Sequence, residues 1–132
     1  MFQIDPLSRT PVYEQISAQL ETFLLAGVLK PGEQLPSVRG VSLSHSINPR
    51  TILHAYADLE ARGLITAVPG KGYFVCADAA ETLRDQHRSR LGELDEFLRQ
   101  MALAGVSKSE VLAIVDGAYA QPNEPNAKEE KR

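Results

Sequence analysis

The chain has 132 residues, 43% of them apolar and 23% charged, a balance that supports a packed core and excludes a low-complexity coil. No apolar run reaches the ~18 residues of a membrane span, no N-terminal stretch has the charged, apolar and small-residue order of a signal peptide, and the single cysteine, Cys76, excludes an internal disulfide framework and fits a reducing cytoplasm. Net charge is −3, but residues 1–76 carry six basic and six acidic side chains and residues 77–132 eight against eleven, so the acidity lies in the C-terminal part and a neutral N-terminal part can still present a basic face.

Thr10 and Pro11 are expected to open the first helix, Thr10 as cap and Pro11 at the first helical position. Val12, Ile16, Leu20, Phe23 and Leu24 then share one face, Gly27 ends the helix, and Lys30-Pro31-Gly32 turns the chain. A second, short helix is expected after Ser37 as N-cap. Its pattern is weak, because Gly40 stands where a Glu would complete a capping box and several serines follow. Asn48 caps a third helix with Pro49 at its first position, and Ile52, Ala55, Tyr56 and Leu59 form a stripe at i, i+3, i+4, i+7. Gly63 ends that helix. Residues 64–68 and 73–76 then read as two strands joined by the turn Pro69-Gly70-Lys71-Gly72.

From Asp78 to Ala104 the pattern predicts one long helix, ~39 Å for about 26 residues, with a heptad-like seam of Leu91, Leu94, Leu98 and Met101. Gly105 breaks it. Ser107 and Glu110 make a capping box for a last helix carrying Val111, Leu112, Ile114, Val115 and Ala118. From Gln121 onward the chain lacks apolar anchors and is expected to be disordered.

The expected fold is mainly α with a small β-hairpin: a winged helix-turn-helix domain over residues 1–76, a two-helix dimerisation segment over 77–119, and a tail over 120–132. Such a fold lays its third helix in the major groove of double-stranded DNA, crosses the phosphates with the second and touches the neighbouring backbone or minor groove with the hairpin. The start of the third helix offers a positive dipole end and free backbone N–H groups to a phosphate. Arg50 suits the two acceptors of a guanine, and Thr51 a phosphate or a thymine methyl. His54, one turn further, faces outward. Ser37 and Arg39 begin the second helix, where backbone contacts are expected, and Lys71 between Gly70 and Gly72 can approach closely. Arg50 alone reads as an ordinary solvated charge; with Arg39, Lys71 and the order of elements the DNA-facing reading leads. Tyr56 reads as core, His45 as a surface or half-buried histidine, and Cys76 as a small apolar filler. A chain this small cannot cover a long apolar seam alone, so Leu91, Leu94, Leu98, Met101, Val111 and Val115 are expected to build a homodimer.

Six separated stretches carry a further signal: PVYEQI (11–16), LKPGEQLPSVR (29–39), INPRT (47–51), AYADLE (55–60), RGLI (62–65) and GKGYFV (70–75). In this order they resemble the DNA-binding domain of GntR-family bacterial repressors over roughly residues 2–76, and the short helical C-terminal part is similar to the YtrA subfamily. The resemblance implies operator contacts on Arg39, Asn48, Arg50, Thr51, Gly70 and Lys71, dimerisation through the C-terminal helices, and repression of an adjacent, often ABC-transporter, operon. Family members usually have an acidic residue where Gly40 stands, an Ala at Ser42 and a Leu at His45, and some carry an Arg at Leu53. These departures lead us to expect a second helix of reduced stability.

The leading function is thus a dimeric, sequence-specific transcriptional regulator acting in the cytoplasm. The alternative is a protein-interaction adaptor that reuses the winged helix, with its acidic C-terminal half as the surface. Three scattered histidines and one cysteine give no metal spacing, no cofactor is implied, and no Ser/His/Asp set or phosphate loop suggests an enzyme. A small-molecule effector has no legible site; if one acts, a hinge near residues 77–80 would move the heads.

Overall fold

The computed structural model describes residues 2–120. The expected disordered tail from residue 121 lies outside the described residues. Helix α1 (Val12–Ala26) begins one residue later than expected, because Pro11 and not Thr10 is the N-cap and no side chain caps it. The Pro11 carbonyl accepts from the N–H groups of Glu14 and Gln15 at 3.0 and 3.1 Å. The Gln15 carboxamide does the rest: its Oε1 accepts from Asp5 N–H, and its Nε2 donates to the carbonyls of Asp5 and Thr10, each at 2.9 Å. Gly27, at φ 77°, closes the helix in the left-handed conformation.

Helix α2 (Val38–His45) and helix α3 (Pro49–Ala61) start as their sequences require. Ser37 Oγ accepts from Gly40 N–H at 2.9 Å, and Asn48 Oδ1 accepts from Arg50 N–H at 2.9 Å. The turn between them rests on Ser46, the only non-glycine residue at positive φ (53°) among the described residues. Two bonds hold it: Ser42 Oγ donates to the Ile47 carbonyl at 2.7 Å, and Ile47 N–H donates back to the Ser42 carbonyl at 3.2 Å. Strands β1 (Ile65–Val68) and β2 (Gly72–Val75) pair antiparallel in the register Ile65 with Val75 to Val68 with Gly72. The segment before α2 adds a short third edge, with Leu35 N–H donating to the Tyr73 carbonyl at 2.8 Å and Val75 N–H to the Glu33 carbonyl at 2.9 Å.

The single helix expected over residues 78–104 is two helices, α4 (Ala79–Arg88) and α5 (Leu91–Leu103). Ser89 Oγ donates to the Gln86 carbonyl at 2.6 Å, Arg90 N–H donates to the His87 carbonyl at 3.0 Å, and Arg90 sits at φ −91°, ψ 2°. Ser89, bonding to its own preceding turn, and Gly92, with low helix preference, stop the helix where spacing alone runs through. Helix α6 (Lys108–Ala120) has the reciprocal capping box: Ser107 Oγ accepts from Glu110 N–H at 3.2 Å and Glu110 Oε1 accepts from Ser107 N–H at 3.3 Å.

One compact unit ends at Arg84 and a second begins at Asp85. In the first, Ile16, Leu20, Ile52, Tyr56, Leu59, Leu64 and Leu83 are fully buried, each aliphatic contributing about 1.5–3 kcal/mol. Ala79 and Leu83 place the first turns of α4 in this core, directly after the turn at residues 77–78. Arg62 joins α1 to α3 by ion pairs to Glu21 at 3.0 Å and Asp58 at 3.4 Å. In the second unit neither α5 nor α6 buries a single residue. Among the described residues no helix is long and apolar enough to cross a membrane.

The irregular residues of α2 have compensating contacts. His45 Nε2 accepts from Phe2 N–H at 3.3 Å, its Nδ1 is 2.9 Å from Ser44 Oγ, and the buried Phe2 ring meets it edge-on at 5.7 Å. The N-terminal arm thereby meets α2 through Phe2 and His45. Gly40 supplies no carboxylate, so the capping box of α2 is one-sided.

Candidate nucleic-acid interface

Residues 34–36 tie three elements together. Tyr56 of α3 is fully buried, donates its hydroxyl to the Pro36 carbonyl at 2.7 Å, and meets Tyr73 of β2 edge-on at 5.0 Å. Burial, with a smaller contribution from Tyr73, pushes its phenol pKa well up, so it remains a donor. Gln34 Nε2 donates to the Lys71 carbonyl at the hairpin tip at 2.7 Å. The start of α2 at Ser37 therefore follows directly from a segment bonded to α3 on one side and to the wing on the other. This brings Ser37 and Arg39 into a common frame with Gly70 and Lys71, while the bonds of the Ser42–Ile47 turn carry the frame to Asn48, Arg50 and Thr51.

The side chains of Arg39, Arg50 and Lys71 are exposed and make no hydrogen bond or ion pair among the described residues. Arg62 is the contrast, its guanidinium held by Glu21 first and Asp58 second, which raises its pKa further. Charge along α3 is polarised as a result. Arg50 stands alone in the first turn, which has no acidic residue, whereas Asp58 and Glu60 lie in the last turns. Glu60 is itself occupied, its Oε2 accepting from Ala67 N–H at 3.1 Å. In a domain of zero net charge, cations with no partner among the described residues thus stand at the starts of α2 and α3 and on the wing, as well as at Arg9 and Lys30.

Two site expectations change in detail. The free N–H groups expected at the start of α3 are already engaged: Pro49 has none, Arg50 N–H bonds Asn48 Oδ1, and Thr51 N–H bonds the Asn48 carbonyl at 2.9 Å. The dipole remains, but an anion finds no vacant donor on those residues. His54 is exposed, yet its ring stacks on Tyr13 of α1, with centroids 3.7 Å apart and planes 12° apart. Tyr13 was missed by sequence reasoning because its partner lies 41 positions away. Its hydroxyl bonds Glu14 Oε1 at 3.2 Å, and the Glu14 charge leads the effects that raise its pKa. Gln34 was missed for the same reason. Cys76 is half-buried, and burial first, then Asp78 and Glu60, pushes its thiol pKa up, away from a reactive thiolate.

Leu91, Leu94 and Leu98 are exposed along α5 and Val115 along α6, while Met101 and Val111 are half-buried. Phe97 belongs with them, 60% exposed and three residues beyond Leu94, a spacing that sequence reasoning had in view but did not use.

The family model for bacterial regulatory proteins of the gntR family matches residues 12–75. The HTH-type transcriptional repressor YtrA of Bacillus subtilis is 39% identical over 103 residues, 78% of this chain and 77% of that protein. A GntR family transcriptional regulator from Listeria monocytogenes superposes with a TM-score of 0.68 at 31% identity, over 86% of this chain and 98% of that one. The DNA-binding domain of AraR, solved in complex with operator ORX1, superposes with a TM-score of 0.51 at 29% identity, over 58% of this chain and 93% of that one.

Proposed function

This chain belongs to the gntR family of bacterial regulatory proteins, and from that premise we propose that it is a dimeric repressor whose two winged heads read the half-sites of one operator. It is a winged-helix, DNA-binding transcriptional regulator. The observation that carries the proposal is the placement of Arg39, Arg50 and Lys71, three of the five exposed cations of residues 1–76 that have no partner among the described residues, on the three elements that such a head brings to a duplex. On this reading Arg50 reads a base edge, and Thr51 beside it takes a phosphate or a thymine methyl. Ser37, Arg39 and Lys71 meet phosphates, Gly70 lets the wing come close, and Asn48 sets the start of the reading helix. His54, braced by Tyr13, is left a backbone contact. The adaptor alternative is not favoured, because the relatives are transcriptional regulators.

The exposed apolar residues of α5 and α6 favour a homodimer, since a lone chain would leave Leu91, Leu94, Phe97 and Leu98 in water. The repressor role follows the similarity to YtrA, and the regulated genes on this reading are an adjacent operon, a transporter operon being the first to test. Its site of action is then the cytoplasm. A small-molecule effector, if one acts, has no assigned site.

The test is a fluorescence-anisotropy titration of the protein onto the duplex upstream of its own gene, over a salt series, with sedimentation to give the oligomeric state. Tight binding that weakens steeply with salt and saturates at two chains per duplex is expected. Affinity no greater than for a scrambled duplex would reject the reading.

A further inference from the structure

We infer that Gln34 is a positioning residue for the wing, presetting the tip so that Lys71 reaches DNA together with α2. The inference rests on the wing being a DNA contact, as proposed above. The backbone ladder between the segment before α2 and strand β2 ends at Leu35 N–H bonded to the Tyr73 carbonyl. Pro36 follows, has no N–H, and leads the chain away into α2. Two residues nearer the tip, the Lys71 carbonyl has no backbone donor on this side. Gln34 supplies one from its side chain, at 2.7 Å. Lys71 N–H is held at 2.9 Å by the Val68 carbonyl. The backbone of Lys71 is thus held by β1 through its N–H and by the segment before α2 through its carbonyl.

Gly72 fits the same device. A Cβ there would stand 2.9 Å from Gln34 Nε2, and the residue sits at φ 120°. Any other residue at 72 would displace the carboxamide from the Lys71 carbonyl as well as strain the backbone. The Lys71 side chain, by contrast, has no partner among the described residues, so what Gln34 fixes is the base from which that ammonium projects. Because residues 34–36 also carry the Tyr56 bond and run into Ser37, the wing tip and the start of α2 are placed by one short segment.

The test uses the full chain, a duplex selected from a random pool by the wild-type protein, and four proteins: wild type, Gln34→Met, Lys71→Ala and the double variant. Methionine keeps the length of glutamine and removes the donor without adding charge. Titrations run over a salt series well below the melting transition. Gln34→Met is expected to weaken binding roughly fivefold, the value of one lost hydrogen bond, and to flatten the log–log salt dependence by up to about 0.9, one phosphate contact. In the Lys71→Ala background it is expected to add nothing. Full additivity of the two changes, or an unchanged salt slope in Gln34→Met, would overturn the inference while leaving the wing contact standing. Wild-type affinity and slope in Lys71→Ala would remove the wing contact and this inference with it.

Discussion

Arg50 and Arg62 lie twelve positions apart, on and just beyond one helix, and their truncations should have opposite consequences. The Arg50 side chain is exposed and makes no hydrogen bond or ion pair among the described residues, so Arg50→Ala should leave stability within about 0.5 kcal/mol. If its guanidinium grips a base edge, the lost discrimination is about 1–3 kcal/mol, a factor of roughly 5–150 in affinity for the preferred site. If it grips only a phosphate, affinity falls alike for every sequence and the salt slope drops by about 0.9. Arg62 holds Glu21 at 3.0 Å and Asp58 at 3.4 Å, with side chains 30%, 22% and 41% exposed. Arg62→Ala removes the guanidinium that bridges those two carboxylates. Discounted for solvent screening, the loss is about 1–2 kcal/mol, or roughly 5–10 °C in melting temperature for a unit of this size. Thermal melts followed by circular dichroism, with anisotropy titrations against a selected duplex and a scrambled one, separate the two effects. An Arg50→Ala protein that binds and discriminates as wild type would refute the reasoning, as would one that melts several degrees lower.

Other outcomes follow from single contacts. Ser46→Gly should raise stability by about 0.5–1 kcal/mol, because glycine occupies the left-handed turn without a Cβ clash; a chemical-denaturation midpoint that does not rise would show the strain to be absent. Tyr56→Phe should lower stability by about 1–2 kcal/mol, since the half-buried Pro36 carbonyl loses its donor, and calorimetry measures it directly. Leu94→Glu combined with Phe97→Glu should give monomers in analytical ultracentrifugation without changing the melting of the N-terminal unit, because neither side chain is buried in the chain itself; a dimer that persists would move the interface elsewhere.

Legibility followed the range of each interaction. Ser37 to Gly40, Asn48 to Arg50 and Ser107 to Glu110 are bonds across two or three positions, so spacing alone named the caps. The stripe of Ile52, Ala55, Tyr56 and Leu59 was legible because a helix repeats every 3.6 residues, and all four are buried. The break at Ser89–Arg90 was not, since a seam of leucines at helical spacing says which face is apolar and nothing about where one helix yields to the next. The contact of Phe2 with His45 was not legible either, because the two lie 43 positions apart.

What the sequence by itself determined is the order of elements up to the hairpin, the caps of α2, α3 and α6, and the buried faces of α1 and α3, because these depend on neighbours within one or two turns. Tertiary structure alone decided that His54 stacks on Tyr13 and that Arg62 reaches Glu21. It alone decided that Gln34 meets the Lys71 carbonyl. These pairs are separated by 37 to 41 positions, and no periodicity records which of two exposed side chains a folded neighbour will reach.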